Sequence, residues 1–567
     1  MAVAWYDLHR PSQANKVDAP LISGGVGRTS LMSVPVIDLF AGPGGLGEGF
    51  SKSSAADFRI LLSIEKDEMA HETLRLRAAH RALQAEAVDD ATWELWDRIV
   101  HDDPWNVVFY KLRDCGNAAI ARACREADAE ALGLELGPSS RQQVTEQLWS
   151  ALRRYRPKGG LPANTVLIGG PPCQAYSIVG RSRNRGVTDY KPESDQRHFL
   201  YREYLHVIAE LRPAVFVMEN VKGILTSRIL DRQIFASILR DLRRPGVETA
   251  GDGPEYILMA LGVNDSLVAE PAPEDFLLRA EDFGVPQARH RVIILGVRRD
   301  VHELLPRQYS LRPSCPPTVK QVISDLPRLR PRLSHRGAGL DWRDAFEDPL
   351  FDRAIAQLGR KNRGSGAALA LAMAARREEF RALRRDRGAG MDRVLRPVES
   401  TRQPKALQEW YVDRPSRLLA NHESRAHMPS DLLRYLFVSS FGEVTGESPR
   451  LADFPPCLLP AHRNVNADAI DEAIFKDRFR VQLANRHSMT VTSHISKDGH
   501  AFIHPDPAQC RSLTVREAAR IQTFPDSYVF LGNRTSQYVQ VGNAVPPYLA
   551  RQIADLVGEI LTDAKLL

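Results

Sequence analysis

The sequence predicts an α/β fold built on a doubly wound, mostly parallel β-sheet, with a separate second region. Three observations predict it. Five short apolar runs of strand length recur between residues 34 and 297, bounded by glycine, acid or proline turns. Helical patterns separate the runs, as in βαβ units rather than hairpins. The unusual motifs fall at the ends of such runs, where open parallel sheets bind their ligands.

The runs are VPVIDLF (34–40), RILLSIE (59–65), NTVLIGG (164–170), PAVFVMEN (213–220) and HRVIILGV (290–297). Near-continuous aliphatic composition is what a strand covered on both faces requires. Residues 1–33 are polar and rich in turn formers, and are expected to be an arm. A helical insertion is expected between the second and third runs, over about 75–160. Residues 301–510 are rich in Arg and Pro, lack the alternation, and are numerous enough for a domain of their own. There is no internal repeat.

At 567 residues the chain has room for roughly two to four domains. Its 43% hydrophobic and 26% charged residues are those of a soluble globular protein. No apolar run approaches the roughly 18 residues of a membrane span, and the first 20 residues lack the pattern of a secretory signal. The six cysteines (115, 124, 173, 315, 457 and 510) form no C-x-x-C pair, which argues against a disulfide framework or a cysteine-built zinc site. A reducing, cytoplasmic setting is expected. The net charge of +6 is concentrated: residues 331–430 hold 20 Lys/Arg against 13 Asp/Glu. Phosphate binding would use such an excess. A solvated helix face would too, and LAMAARREEFRALRRDR (371–387) has helical spacing.

DLFAGPGGLGEGF (38–50) follows the first run. Gly42, Gly44 and Gly47 satisfy G-x-G-x-x-G, and Glu65 lies 23 residues after Gly42 at the end of the second run. Glycines let a nucleotide approach the backbone, and an acid at that distance suits ribose hydroxyls. The pattern implies an adenosine-bearing cofactor without choosing between NAD and S-adenosylmethionine.

GGPPCQAYS (169–177) places Cys173 on stiff turn chemistry after the third run, where a thiol would face a cleft. FVMENVKG (216–223) puts Glu219 at the end of the fourth run, and PQARHRVIILG (286–296) sets Arg289 and Arg291 two apart before the fifth, where they would share a face. QYVQVGNAVPPYLARQIA (537–554) gives a Gly-Asn turn, two prolines and a helix. Each has a structural reading alone; together with Cys173 they are hard to explain as packing. The four histidines 487, 494, 500 and 504 are spaced by seven, six and four, which is no standard zinc set. Their segment reads as a hairpin turning at Asp498-Gly499.

These motifs closely resemble those of the DNA cytosine-5 methyltransferase family, over 34–300 and 511–555. The resemblance implies a Rossmann-like catalytic domain over 34–300 that binds S-adenosylmethionine and releases S-adenosylhomocysteine. It also implies a target-recognition domain over 301–536 and a return to the catalytic domain over 537–567. Asp38, Phe40, Ala41, Gly42, Gly44, Gly45, Glu65, Pro172, Asn543 and Ala544 would form the cofactor site, with Phe40 on the adenine and Glu65 on the ribose. Cys173 would be the nucleophile, Glu219 its acidic partner, and Arg289 and Arg291 the holders of a flipped cytosine. Gln174, Ser177, Arg181, Arg183 and Arg185 would meet DNA from a loop over 177–198. The family's acid for the adenine amine is obscured by the insertion.

The implied chemistry needs these residue types. C5 of cytosine attacks a methylsulfonium only after a thiolate adds at C6. A carboxyl group at N3 offsets the charge that builds in the ring, and no metal is required. Double-stranded DNA is the implied partner, acted on by a monomer, with a cognate restriction or phage-defence system as the setting. A transfer-RNA methyltransferase of the same fold would lack the long 301–510 segment. A DNA-binding regulator without catalysis would not need Cys173 and Glu219. A zinc deaminase would need P-C-x-x-C, which is absent.

Overall fold

The computed structural model describes residues 33–155, 161–172, 200–229, 232–246, 253–262, 271–334, 341–360, 365–383, 394–395, 404–413, 418–460 and 478–567. Its centre is an eight-stranded sheet. The strands are β1 (Val34–Leu39), β2 (Phe58–Glu65), β3 (Ala131–Gly133), β4 (Val166–Gly169), β5 (Val215–Val221), β6 (Tyr256–Met259) and β7 (Leu277–Arg279). After β8 (Gln287–Ala288), a short strand outside this sheet, comes the eighth sheet strand, β9 (His290–Arg298).

The order is β3-β2-β1-β4-β5-β9-β6, with β7 also on β9. β3 to β5 are parallel, while β9 runs antiparallel to β5, with Arg291 opposite Val221 and Ile293 opposite Glu219. All six residues of β1 are buried, as the aliphatic run predicts. The chain goes from β1 outward to β2 and β3, then back to β4 on the other side. That reversal is a topological switch point, the place where doubly wound sheets open a crevice.

Two apolar layers cover the sheet. One joins Val34, Val36 and Ile293 to the C-terminal helix; the other joins Ile37, Leu39 and Leu167 to the helices before β4 and β5. Burying a Val, Leu or Ile side chain contributes about 1.5–3 kcal/mol, so these layers fix the strand ends that carry the motifs.

The helices used below are α1 (Gly45–Ser51), α2 (Glu68–Ala85), α3 (Asp90–Asp102), α4 (Val108–Arg113), α5 (Ala118–Glu130), α6 (Arg141–Tyr155) and α7 (Leu200–Leu211). Further on are α8 (Gly366–Ala382), α9 (Lys405–Tyr411), α10 (Pro429–Thr445), α11 (Val515–Ile521), α12 (Arg534–Asn543) and α13 (Pro547–Asp563). The insertion is helical, but it also supplies a strand: β3 extends the sheet beside β2, with Gly133 opposite Glu65. A three-residue strand after thirteen residues of amphipathic helix left no period to read in the sequence.

Trp342, Phe346, Phe351, Met373, Phe380, Leu436 and Phe454 form a core apart from the sheet. The arginines of α8 are spent within this region. Arg376 pairs with Glu379 at 2.8 Å and Glu443 at 3.3 Å, Arg377 with Asp352 at 2.7 Å, and Arg381 with Glu347 and with Glu378 at 2.7 Å. For this stretch the structure favours the helix-face reading over the phosphate-binding one.

The hairpin expected at Asp498-Gly499 does not form. Ser493–Ser496 is a 3-10 turn, packed so tightly on α12 that a Cβ on Gly542 would lie 2.3 Å from the Ser493 nitrogen. Arg425 donates to the carbonyls of Ile495 (3.0 Å) and Ser496 (2.8 Å), satisfying groups that a strand partner would have taken.

Candidate active site

The glycine loop leaves β1 with two successive departures from ordinary backbone: Phe40 has φ 57° and Gly42 φ 58°. The first is rare for a residue with a side chain and costs of order 1–3 kcal/mol. At Gly42 a Cβ would meet nothing within 4 Å, so the loop presents open backbone there. Its amide donates to Glu65 Oε2 at 2.8 Å, and the Asp67 amide donates to Glu65 Oε1 at 2.8 Å. Glu65 is half-buried and sits at the rim of the crevice, binding two chain segments at once.

The other predicted residues of this motif divide. Phe40 and Ala41 are half-buried beside Gly42. Gly44 and Gly45 are buried and face protein: a Cβ on Gly44 would fall 2.8 Å from Leu74 Cδ1, and one on Gly45 would fall 2.4 Å from the Val545 carbonyl. That second contact brings Asn543 and Ala544 back to the loop from the end of the chain. Asp38 is the last polar residue of β1 before the loop. It has no accessible surface and lies beneath the loop. Neither carboxyl oxygen has a hydrogen-bond partner among the described residues, and burial raises its pKa, with Arg81 opposing.

β4 ends in Gly169-Gly170-Pro171-Pro172. Asn220 Nδ2 donates to the Pro171 carbonyl at 3.3 Å, fixing this turn to the end of β5. A Cβ on Gly170 would lie 3.0 Å from Glu219 Oε2. Glu219 Oε1 is 2.8 Å from Arg291 Nε across the β5–β9 ladder, and Arg291 also donates to the His290 carbonyl at 2.8 Å. Both side chains are largely buried, so their charges meet in a poorly screened environment. Burial lowers the Arg291 pKa against the pull of Glu219. Pro172, half-buried, completes the described part of this turn. Cys173, Gln174, Ser177, Arg181, Arg183 and Arg185 lie outside the described residues.

Arg289 departs from the expectation that it would share a face with Arg291 and hold a base. It precedes the strand, is fully buried, and donates to the carbonyls of Val491 at 2.8 Å, Gly542 at 3.2 Å and Asn543 at 3.4 Å. It is a tie between three distant segments. Gln287 and Gln522 form a second tie. The Val491 amide donates to Gln287 Oε1 at 3.0 Å, Gln287 Nε2 donates to Gln522 Oε1, and Gln522 Nε2 donates to the Ala544 carbonyl. Sequence separations of over 200 residues hid these two glutamines from sequence reading. The residues that end β3 were missed as well: Leu134 N donates to the Glu65 carbonyl at 3.1 Å, and the exposed Glu135 pairs with Lys66 at 2.8 Å.

Of the four clustered histidines, His504 stands 3.5 Å from Glu517, and His500 Nδ1 is 2.8 Å from Tyr435 Oη. Among the described residues no group of three or more potential ligands could hold a metal ion, and no helix is long and apolar enough to cross a membrane.

The arrangement thus sets an open backbone loop with a ribose-compatible carboxylate on one side of a switch point, and a carboxylate–guanidinium pair on the other. The family model described as C-5 cytosine-specific DNA methylase matches residues 152–340 and 443–559. The type II methyltransferase M.Bpa9945I of Bacillus paralicheniformis is 30% identical over 541 residues, covering 93% of this chain and 99% of that protein. M.AgeI of Thalassovita gelatinovora is 28% identical over 419 residues, 69% of this chain and 82% of that protein. The DNA (cytosine-5-)-methyltransferase M.ApeKI of Aeropyrum pernix is 26% identical over 426 residues, 70% of this chain and 81% of that protein. The chain belongs to the C-5 cytosine-specific DNA methylase family, and is a DNA cytosine-5 methyltransferase.

Proposed function

We propose that the protein transfers a methyl group from S-adenosylmethionine to C5 of cytosine within a specific double-stranded DNA sequence. The observation that carries this reading is the Glu219–Arg291 pair, held against Gly170 three residues before Cys173. The cofactor's residues fit: Gly42 offers open backbone, Glu65 offers a carboxylate for ribose hydroxyls, and Phe40 stands at the loop's start. When bound, S-adenosylmethionine supplies an electrophilic methyl on a sulfonium.

The protein's part begins with the base rotated out of the duplex, at a cost of a few kcal/mol. Cys173, as thiolate, adds to C6, and the ring's electrons then make C5 nucleophilic. Glu219 donates a hydrogen bond or proton at N3, so that the charge does not accumulate on the ring. Arg291 holds that carboxyl group in place and adds positive potential to the pocket. After transfer a base removes the C5 proton and Cys173 leaves. Residues 301–510 choose the surrounding sequence, and the methylated site marks self DNA beside a restriction or defence nuclease.

Duplex DNA carrying 5-fluorocytosine at the target tests the mechanism, because fluorine cannot be removed as a proton. A covalent adduct dependent on S-adenosylmethionine, lost in Cys173→Ala, is the expected result. No adduct on an established target would overturn it. Methylation of transfer RNA in place of DNA would overturn the substrate assignment.

A further inference from the structure

The glycine loop is held in part by its own backbone, the Gly44 amide donating to the Ala41 carbonyl at 2.9 Å and the Glu48 amide to the Gly44 carbonyl at 2.9 Å. Between Gly42 and Gly47 it has only Pro43 and Leu46 as side chains, so further side-chain support must reach it from outside. Two groups do. Tyr528 Oη donates to the Pro43 carbonyl. Arg77, from α2, makes a paired contact with Glu48 in the first turn of α1, Nε to Oε2 at 2.8 Å and Nη2 to Oε1 at 2.5 Å. The Arg77 guanidinium also lies 4.9 Å from the centre of the Tyr528 ring. One arginine therefore braces both outside contacts.

Arg77 is itself held from a third direction. Asp413 follows α9, in the long segment outside the chemistry-bearing motifs. Its Oδ2 accepts from Arg77 Nη2 at 3.1 Å, Lys52 Nζ at 2.7 Å and Ser527 Oγ at 2.7 Å. Ser527 Oγ accepts in turn from Arg77 Nη1 at 2.9 Å. Glu48 is fully buried, and the side chains of Arg77 and Asp413 are 2% and 7% exposed. Lys52 and Arg77 balance Glu48 and Asp413 in charge. In a buried cluster, removing one charge leaves the others uncompensated.

We propose that Asp413 is a positioning residue for the glycine loop: it fixes Arg77, and through Arg77 it sets Glu48 and Tyr528 against Pro43–Glu48. The loop's geometry then depends on a residue of the segment assigned to target choice. That the loop's ligand is S-adenosylmethionine rests on the reading above; the bracing does not.

The test uses the full chain and the near-isosteric variants Asp413→Asn and Tyr528→Phe, with Asp413→Asn/Lys52→Met to restore charge balance. The first measurement is amide hydrogen exchange without ligand. Residues 42–48 should exchange about tenfold or more faster in both single variants, with β1 and β4 unchanged, and the double variant should recover most of the protection. The second is titration with S-adenosylmethionine and with duplex DNA. Cofactor affinity should fall about tenfold and DNA affinity by less than about twofold. Unchanged loop exchange overturns the proposal, and so does loosening of β1 and β4 in parallel with the loop. A wild type that does not bind S-adenosylmethionine while the exchange result holds overturns the cofactor reading and leaves the bracing in place.

Discussion

Both terminal nitrogens of Arg289 donate to the Gly542 carbonyl at 3.2 Å, joining residues 253 positions apart. Gly542 lies in the last turn of α12, where helical carbonyls have no intrahelical partner. Arg289 supplies one, and reaches the Val491 and Asn543 carbonyls as well. Arg289→Met would leave three acceptors without it in a site with no accessible surface. At about 1–3 kcal/mol for each orphaned buried group, the expected loss of stability is at least about 3 kcal/mol. Urea unfolding measures it. A variant as stable as wild type but unable to bind DNA would return Arg289 to the role of a base-holding residue.

Glu219→Gln should behave differently. The amide keeps the shape beside Gly170 but cannot donate a proton at N3, and it leaves Arg291 without its 2.8 Å counter-charge. Methyl transfer should fall by about 10²–10⁴-fold, the range of a lost general acid. Binding of S-adenosylmethionine, whose loop lies on the other side of the switch point, should stay within about threefold. A parallel collapse of both would mean that Glu219 is structural.

The sheet and the position of its motifs were legible because buried parallel strands announce themselves as aliphatic runs, and because each run ends where chemistry can be placed. That rule placed Glu65 and Glu219 at the ends of strands, but not their contacts with Gly42 and Arg291. Residues whose partners are remote in the chain were not legible. Asp38 and Arg289 look like ligand-binding residues in one dimension, and only packing shows that neither has accessible surface. β3 was hidden because three residues carry no periodicity. The buried ties through Gln287, Gln522 and Arg77 depend on pairings that no local pattern encodes.

Acid should weaken the fold through two histidines. His422 Nε2 donates to the Pro327 carbonyl at 2.8 Å, so its Nδ1 accepts from Thr514 Oγ1 at 3.0 Å, and His504 accepts from the Asp506 amide at 3.1 Å. Burial, and secondarily the charge of Arg511, pushes both from an ordinary 6.5 down to about 4, against the pull of Glu517. Between pH 6.5 and 4 the unfolded chain therefore takes up protons that the folded chain refuses. Stability is complete above pH 6.5 and falls as pH drops through that window, by on the order of 3 kcal/mol per histidine at its lower end. Glu48, held down at about 2 by Arg77 and Lys52 against its burial, loses its contribution only at lower pH. Thermal melts at pH 7.5, 6, 5 and 4.5 check this. A midpoint that does not move until below pH 4 would assign acid lability to the carboxylates instead.

The arginine excess of residues 331–430 invites the expectation that α8 reads DNA, and its ion pairs predict otherwise. Arg376, Arg377 and Arg381 are each matched to carboxylates of α8 itself, α10 or the chain before α8. Phosphate would have to displace those partners. Exposed pairs of this kind contribute about 0–1 kcal/mol each, so replacing all three arginines by alanine should leave the protein folded. DNA affinity should change by less than about twofold, with the salt slope unaltered. Arg486 provides the contrast. It is exposed, forms no ion pair among the described residues, and its carbonyl accepts from the Val319 amide at 2.8 Å. Two residues on, Ser488 pairs with Gln287, in the strand that leads to Arg289 and Arg291. Arg486→Ala should weaken binding about 5- to 150-fold if it meets a base, relaxing one position of the target. It should instead lower the salt slope by about one if it meets a phosphate. Methylation mapping together with binding at two salt concentrations separates these outcomes. A loss of affinity in the α8 triple variant, with none in Arg486→Ala, would move recognition back to the helix.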